Sequence, residues 1–113
     1  MTKPLILISN DDGYYSMGIT ALARALAHIG EVVVVAPATD QSAISHAISL
    51  NRPLRLNQRQ SLHEKGQEIR VYSVDGTPTD SVYMGVHYLL KDRKPDLMVS
   101  GINHGANLGY DVL

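Results

Sequence analysis

The chain contains no cysteine, no tryptophan and no phenylalanine. Without cysteine it has neither a disulfide nor a thiolate metal ligand. No sign of charge dominates either: 10 Lys and Arg face 11 Asp and Glu, a formal net charge of -1. That balance provides no broad basic field for a nucleic-acid polymer or an anionic membrane. A small anionic ligand would have to be held by local groups. Long apolar runs are missing too. The first one, Leu5-Ile6-Leu7-Ile8, is cut short by Asn10-Asp11-Asp12, too soon for a signal peptide or a membrane span. The expectation is a cytoplasmic protein with no membrane partner. Three familiar motifs are also absent: no G-x-G-x-x-G follows the first apolar run, and there is no Walker lysine motif and no G-x-S-x-G elbow.

What is present suits one globular domain. The chain has 113 residues, 44% hydrophobic and 19% charged. A chain of this size buries roughly 65% of the surface its unfolded form exposes. Leu5 to Ile8 reads as a strand buried on both faces, as in a parallel sheet. Ile19, Leu22, Leu26 and Ile29 recur at helical spacing, with Gly30 at the place favoured for a helix end. Val32 to Ala36 is a second buried strand closed by Pro37. Strand, helix and strand together have the size of a βαβ unit.

Residues 38 to 68 are less regular. They read as an excursion from the sheet, with Gln58 to Gln67 an exposed loop or hairpin tip. Ile69, Val71 and Val74 mark a third strand, and Asp75-Gly76-Thr77-Pro78 a turn. Thr79 can cap a helix that carries Val82, Tyr83, Val86, Leu89 and Leu90 on one face. Pro95 ends it, and Leu97-Met98-Val99 is a fourth short strand. This alternation predicts an α/β domain: a Rossmann-like, three-layer parallel sheet with helices on both faces.

In such sheets ligands bind beyond the carboxyl ends of the strands. Four ends carry polar residues here: Ser9-Asn10-Asp11-Asp12-Gly13, Ala38-Thr39-Asp40-Gln41-Ser42, Asp75-Gly76-Thr77, and the stretch from Ser100 to Asn107. Asp11 and Asp12 are adjacent carboxylates, an arrangement a bound cation relieves. Carboxylate, hydroxyl and amide oxygens suit a hard cation such as Mg²⁺ or Mn²⁺. Taken alone, the dipeptide better fits a solvated acidic turn that caps the next helix. Its place after a buried strand favours a site. Ser42 offers a hydroxyl or a turn cap, and Asn103 an amide oxygen or a local backbone bond. Asn107 lies between Gly105 and Gly109, where backbone N–H groups can form an anion-binding concavity. His104 and His46 lie near these segments and could meet a phosphate. Tyr14 and Tyr15 could stack a base, although aromatic residues beside a site more often pack.

Six segments, in order, resemble the SurE family of metal-dependent nucleotidases. They are Ser9-Asn10-Asp11-Asp12-Gly13, Val34-Val35-Ala36-Pro37, Gln41-Ser42, Leu50-Asn51-Arg52-Pro53-Leu54, Val74-Asp75-Gly76-Thr77-Pro78, and the run from Ser100 to Gly109. Together they span nearly the whole chain. The resemblance implies Asp11, Asp12, Ser42 and Asn103 as ligands of one Mg²⁺ or Mn²⁺ ion, with Asp11 and Asp12 also catalytic. It implies Asn10, Gly105 and Asn107 as substrate-binding residues. The implied activity is hydrolysis of nucleoside 5′- and 3′-monophosphates, with short polyphosphate as a further substrate. The alternative is a nonenzymatic nucleotide- or metal-binding module. Two departures stand out. Ala43 occupies a position where the family usually has glycine. Family chains also continue to roughly twice this length, within ordinary domain sizes. Residues 1–113 are therefore expected to be the N-terminal part of a longer α/β domain, incomplete at its C-terminal side. The full-length family chain is expected to form a homodimer or tetramer.

Overall fold

The computed structural model describes residues 3–40 and 53–103. One five-stranded sheet runs through it in the order β3-β4-β2-β1-β5. The strands are β1 (Leu5–Ser9), β2 (Glu31–Pro37), β3 (Leu56–Glu64), β4 (Gln67–Val74) and β5 (Leu97–Ser100). Neighbours β4, β2, β1 and β5 are all parallel, and only β3 runs antiparallel, against β4. The carboxyl ends of β4, β2, β1 and β5 therefore share one edge of the sheet.

Every residue of β1 is buried, and so are six of the seven in β2. Side chains alternate between faces along a strand, which explains the unbroken apolar runs. Ile6, Ile8, Val32, Val34 and Ala36 pack with Ile19, Ala23 and Ala27 on the side of helix α1 (Met17–Leu26). Leu5, Leu7, Val33, Val35 and Val74 pack on the other side with Val82, Met84, Val86, Leu89 and Leu90. Those partners lie on and just after helix α2 (Pro78–Met84), which continues as one π-helical turn, Gly85–Leu89. The result is the expected three-layer, Rossmann-like α/β arrangement. Among the described residues no helix is long and apolar enough to cross a membrane.

Three local expectations need correction. Residues 58–64 are not a loop outside the sheet but most of β3, which joins β4 through a tight turn at Lys65-Gly66. A register shift between Arg59 and Leu62 breaks its two-residue alternation, and polar residues suit a strand with a free edge. The N-cap of α2 is Thr77 rather than Thr79. Its hydroxyl accepts from the Asp80 N–H, and the Asp80 carboxylate accepts from the Thr77 N–H, with Pro78 in the first turn. Finally, α1 ends at Leu26, so Ile29 falls outside it and is exposed.

Candidate functional site at the carboxyl edge of the sheet

The loop after β1 is braced from below by Asn10, which is 0% exposed. Its Nδ2 donates to the Gly13 carbonyl and to Ser16 Oγ, both at 2.9 Å, and its Oδ1 accepts from the Gly13 N–H at 3.1 Å. Gly13 has φ 110°, a conformation that costs glycine little and other residues much. Ser16 is the N-cap of α1 and accepts from the Ile19 N–H. The Tyr14 N–H donates to the Pro37 carbonyl at 3.0 Å, tying the loop to the end of β2. Strand, loop and helix are thus one hydrogen-bonded frame.

Asp11 and Asp12 stand on that frame. The N-cap is Ser16, and no acidic residue lies in the first turn of α1, so neither aspartate is the N-cap. Asp11 is exposed and Asp12 partly so. Asn103 comes from the far side, beyond the end of β5. Its Oδ1 accepts from the Asp11 N–H at 3.1 Å, across 92 positions of sequence. The Gly101 N–H donates to the Ser9 carbonyl at 2.9 Å and continues the β1–β5 pairing up to this point.

The polar segments at the strand ends thus divide by use. Asn103 meets the aspartate loop at the Asp11 N–H. Thr77 is committed to starting α2. The Asp75 N–H donates to the Arg55 carbonyl. Asn10, which the family resemblance places on the substrate, directs its described hydrogen bonds into the loop itself. Ser42, Gly105 and Asn107 lie outside the described residues, as do His46 and His104. Tyr14 packs against the core on the α1 side, and the Arg59 guanidinium sits over its ring at 4.9 Å. Tyr15 instead is 57% exposed, its ring edge-on to Tyr14.

The two loops that meet here offer two carboxylates and an amide oxygen. Among the described residues no three His, Cys, Asp or Glu side chains gather into a cluster. Among the described residues nothing favours nitrogen- or sulfur-rich coordination, and an all-oxygen set fits a hard divalent cation. A second polar group nearby was not evident from the residue pattern. Ser9 is 3% exposed and its Oγ has no hydrogen-bond partner among the described residues. Buried polar atoms are seldom left so. The Ser16 cap was also overlooked, although a serine three residues before an apolar helical position is a recognisable start signal.

Comparison with known proteins places this geometry. The family model described as Survival protein SurE matches residues 6–113. A protein named 5′-nucleotidase SurE from Myxococcus xanthus is 55% identical over 108 residues, which is 96% of this chain and 38% of that protein. Another of the same name, from Cytophaga hutchinsonii, is 49% identical over 113 residues, covering 100% of this chain and 42% of that one. The crystal structure of the SurE protein from Aquifex aeolicus superposes with a TM-score of 0.70 at 42% identity, covering 96% of this chain and 41% of that one. The chain thus spans about two fifths of the length of these relatives. The match reaches from the second residue of β1 to the last residue of the chain, through the aspartate loop and the Asn103 loop alike, and the chain belongs to the SurE family of survival proteins.

Proposed function

We propose that this chain carries the cation-binding part of a divalent-metal-dependent nucleotidase, which hydrolyses nucleoside 5′- and 3′-monophosphates to nucleoside and phosphate. One observation carries the reading. An aspartate pair follows the carboxyl end of an inner strand without serving as the N-cap of the next helix, and an amide oxygen from the neighbouring strand end accepts from the backbone N–H of Asp11. The relatives named 5′-nucleotidase support the reaction class.

In this reading Asp11, Asp12 and Asn103 hold Mg²⁺ or Mn²⁺, with Ser42 as the fourth protein ligand. The bound ion supplies Lewis-acid polarisation of the phosphoryl group. The protein's own groups do the rest. Asp11 or Asp12 orients the attacking water and accepts its proton. Asn107 and backbone N–H groups of the Gly105 segment would bind the phosphoryl oxygens and favour the charge that builds there. Asn10 serves the substrate indirectly, by fixing the loop from which both aspartates project. Short polyphosphate presents the same terminal phosphoryl group and is a second substrate. The assembled protein is a homodimer or tetramer.

The test is phosphate release from AMP and GMP by protein carrying this chain at the length of its relatives. Release should need added Mn²⁺ or Mg²⁺, stop with chelator, and vanish in Asp11→Asn. Metal-independent release, or an undiminished Asp11→Asn, would overturn the reading. Calorimetric binding of Mn²⁺ and nucleotide without any turnover would identify a binding module instead.

A further inference from the structure

We infer that Gly18 is a positioning residue for the cation site, seating the loop that delivers Asn103. The inference rests on the reading of Asp11, Asp12 and Asn103 as cation ligands. Gly18 is the second residue of α1. A Cβ placed on it would overlap the carbonyl oxygen of Ile102, and would lie 3.1 Å from the Ile102 carbonyl carbon and 3.5 Å from its Cβ. The closest of these atoms are backbone. Rotating a side chain cannot relieve the overlap, so the loop itself would have to move.

Residues 101–103, with which that loop begins, are fixed at two points. The Gly101 N–H is bonded to the Ser9 carbonyl at 2.9 Å, continuing the Ser9–Ser100 register of β1 and β5. One residue later the Ile102 backbone rests on Gly18. One residue later again, Asn103 Oδ1 accepts from the Asp11 N–H at 3.1 Å. The amide oxygen is therefore located by a strand pairing on one side and a helix surface on the other. A shift at Ile102 has no length of chain over which to decay before it reaches Asn103.

Helix formation gives no reason for the glycine. Alanine is the better helix former and would strengthen α1. The adjacent Met17 is 88% exposed, so the start of the helix is not crowded as a whole. What glycine provides at position 18 is closeness. The requirement concerns the placement of a ligand rather than the stability of the helix.

The experiment uses protein at the length of the SurE relatives and compares Gly18→Ala with wild type. It reads Mn²⁺ affinity by calorimetry, amide hydrogen exchange in the Asp11 segment without metal, and thermal stability. Gly18→Ala should weaken Mn²⁺ binding at least about tenfold, the scale on which residues that orient metal ligands act. It should also speed exchange at Asp11 and leave the melting temperature within a few degrees. In an Asn103→Ala background the same substitution should add nothing, because both act through one contact. Met17→Ala should change none of the three readouts. Should Gly18→Ala fail to fold, Ile102→Gly loosens the same seat from the loop side at a residue that is 54% exposed. It should weaken Mn²⁺ binding and speed Asp11 exchange severalfold. Wild-type affinity and unchanged exchange in either folded variant would overturn the inference, as would full additivity with Asn103→Ala. A wild-type protein without Mn²⁺ affinity would instead sink the metal reading, and exchange at Asp11 would still decide whether Gly18 seats Asn103.

Discussion

The two ends of the sheet handle charge in opposite ways. At the amino end opposite charges meet. Glu31, the first residue of β2, reaches Arg93 at 2.9 Å and Arg70 at 3.8 Å. Arg93 also donates to the Lys3 carbonyl, and the Asp96 carboxylate accepts from the Leu5 N–H at 2.8 Å. At the carboxyl end like charges meet. Asp11 and Asp12 are neighbours, and among the described residues no Lys or Arg forms an ion pair with Asp11. The amino end closes the fold with its own groups. The carboxyl end carries a concentration of negative charge that a cation would complete. With the proposed cation site, structure and function sit on opposite edges of one sheet, and substitutions at the two edges should separate in what they disturb.

The largest expected effect is loss of activity in Asp11→Asn and Asp12→Asn. Each removes a carboxylate from the cation set while keeping its shape. Metal-dependent phosphate release should fall by more than about 100-fold, beyond what a residue outside the ligand set is worth. In Asp11→Asn, urea unfolding without metal should be unchanged or shifted towards higher stability, because two like charges no longer sit side by side. A large loss of stability in that variant would break the contrast between the two edges.

Asn10→Ala should disturb both properties, which sharpens the contrast by locating its boundary. Asn10 is wholly buried and satisfies the Gly13 N–H, the Gly13 carbonyl and Ser16 Oγ. Removing it strands buried polar groups, each costing about 1–3 kcal/mol. Urea unfolding should show that loss, and Mn²⁺ affinity should fall with it as the loop relaxes. Asn103→Ala should behave differently. Its bond to the Asp11 N–H is exposed, so stability should change by less than about 1 kcal/mol, while Mn²⁺ affinity drops by about 10-fold or more. Equal effects of the two asparagine variants on stability would show that the brace and the ligand are not distinct.

How much of this was legible in the sequence depended on whether the signal was local. β1 and β2 were readable because burial on both faces makes every residue apolar. β3 was not, because it lies at an edge, carries polar residues such as Gln58 and Gln60, and loses its alternation at the register shift. Thr77 was overlooked in favour of Thr79, although Thr77-Pro78-Thr79-Asp80 has the spacing of a capping box with proline in the first turn. The aspartate pair stood out as polar residues ending an apolar strand. Its partnership with Asn103 did not, because nothing local to either segment records a contact across 92 positions. The strand-end rule brought the two segments to one edge of the sheet, and the family resemblance named the residues within them. Gly18 was silent for the same reason: its neighbours in sequence do not say which loop crosses the helix.

The smallest effect is expected at the amino end, from Glu31→Gln. Glu31 holds two arginines, which makes it look important for the fold. Its side chain is 46% exposed, though, and those of Arg70 and Arg93 are 35% and 42% exposed. Pairs this close to solvent contribute about 0–1 kcal/mol, and added salt screens them. Glutamine also keeps an acceptor for the Arg93 guanidinium. Stability should therefore fall by at most about 1 kcal/mol in low salt, and the difference from wild type should shrink as salt is raised. Mn²⁺ affinity should not move, because the change lies at the other end of β2 from the cation site. A fall in affinity would mean that the strands transmit charge or strain from one edge to the other. The separation of a closed structural edge from an open functional one would then be only a matter of distance along the sheet.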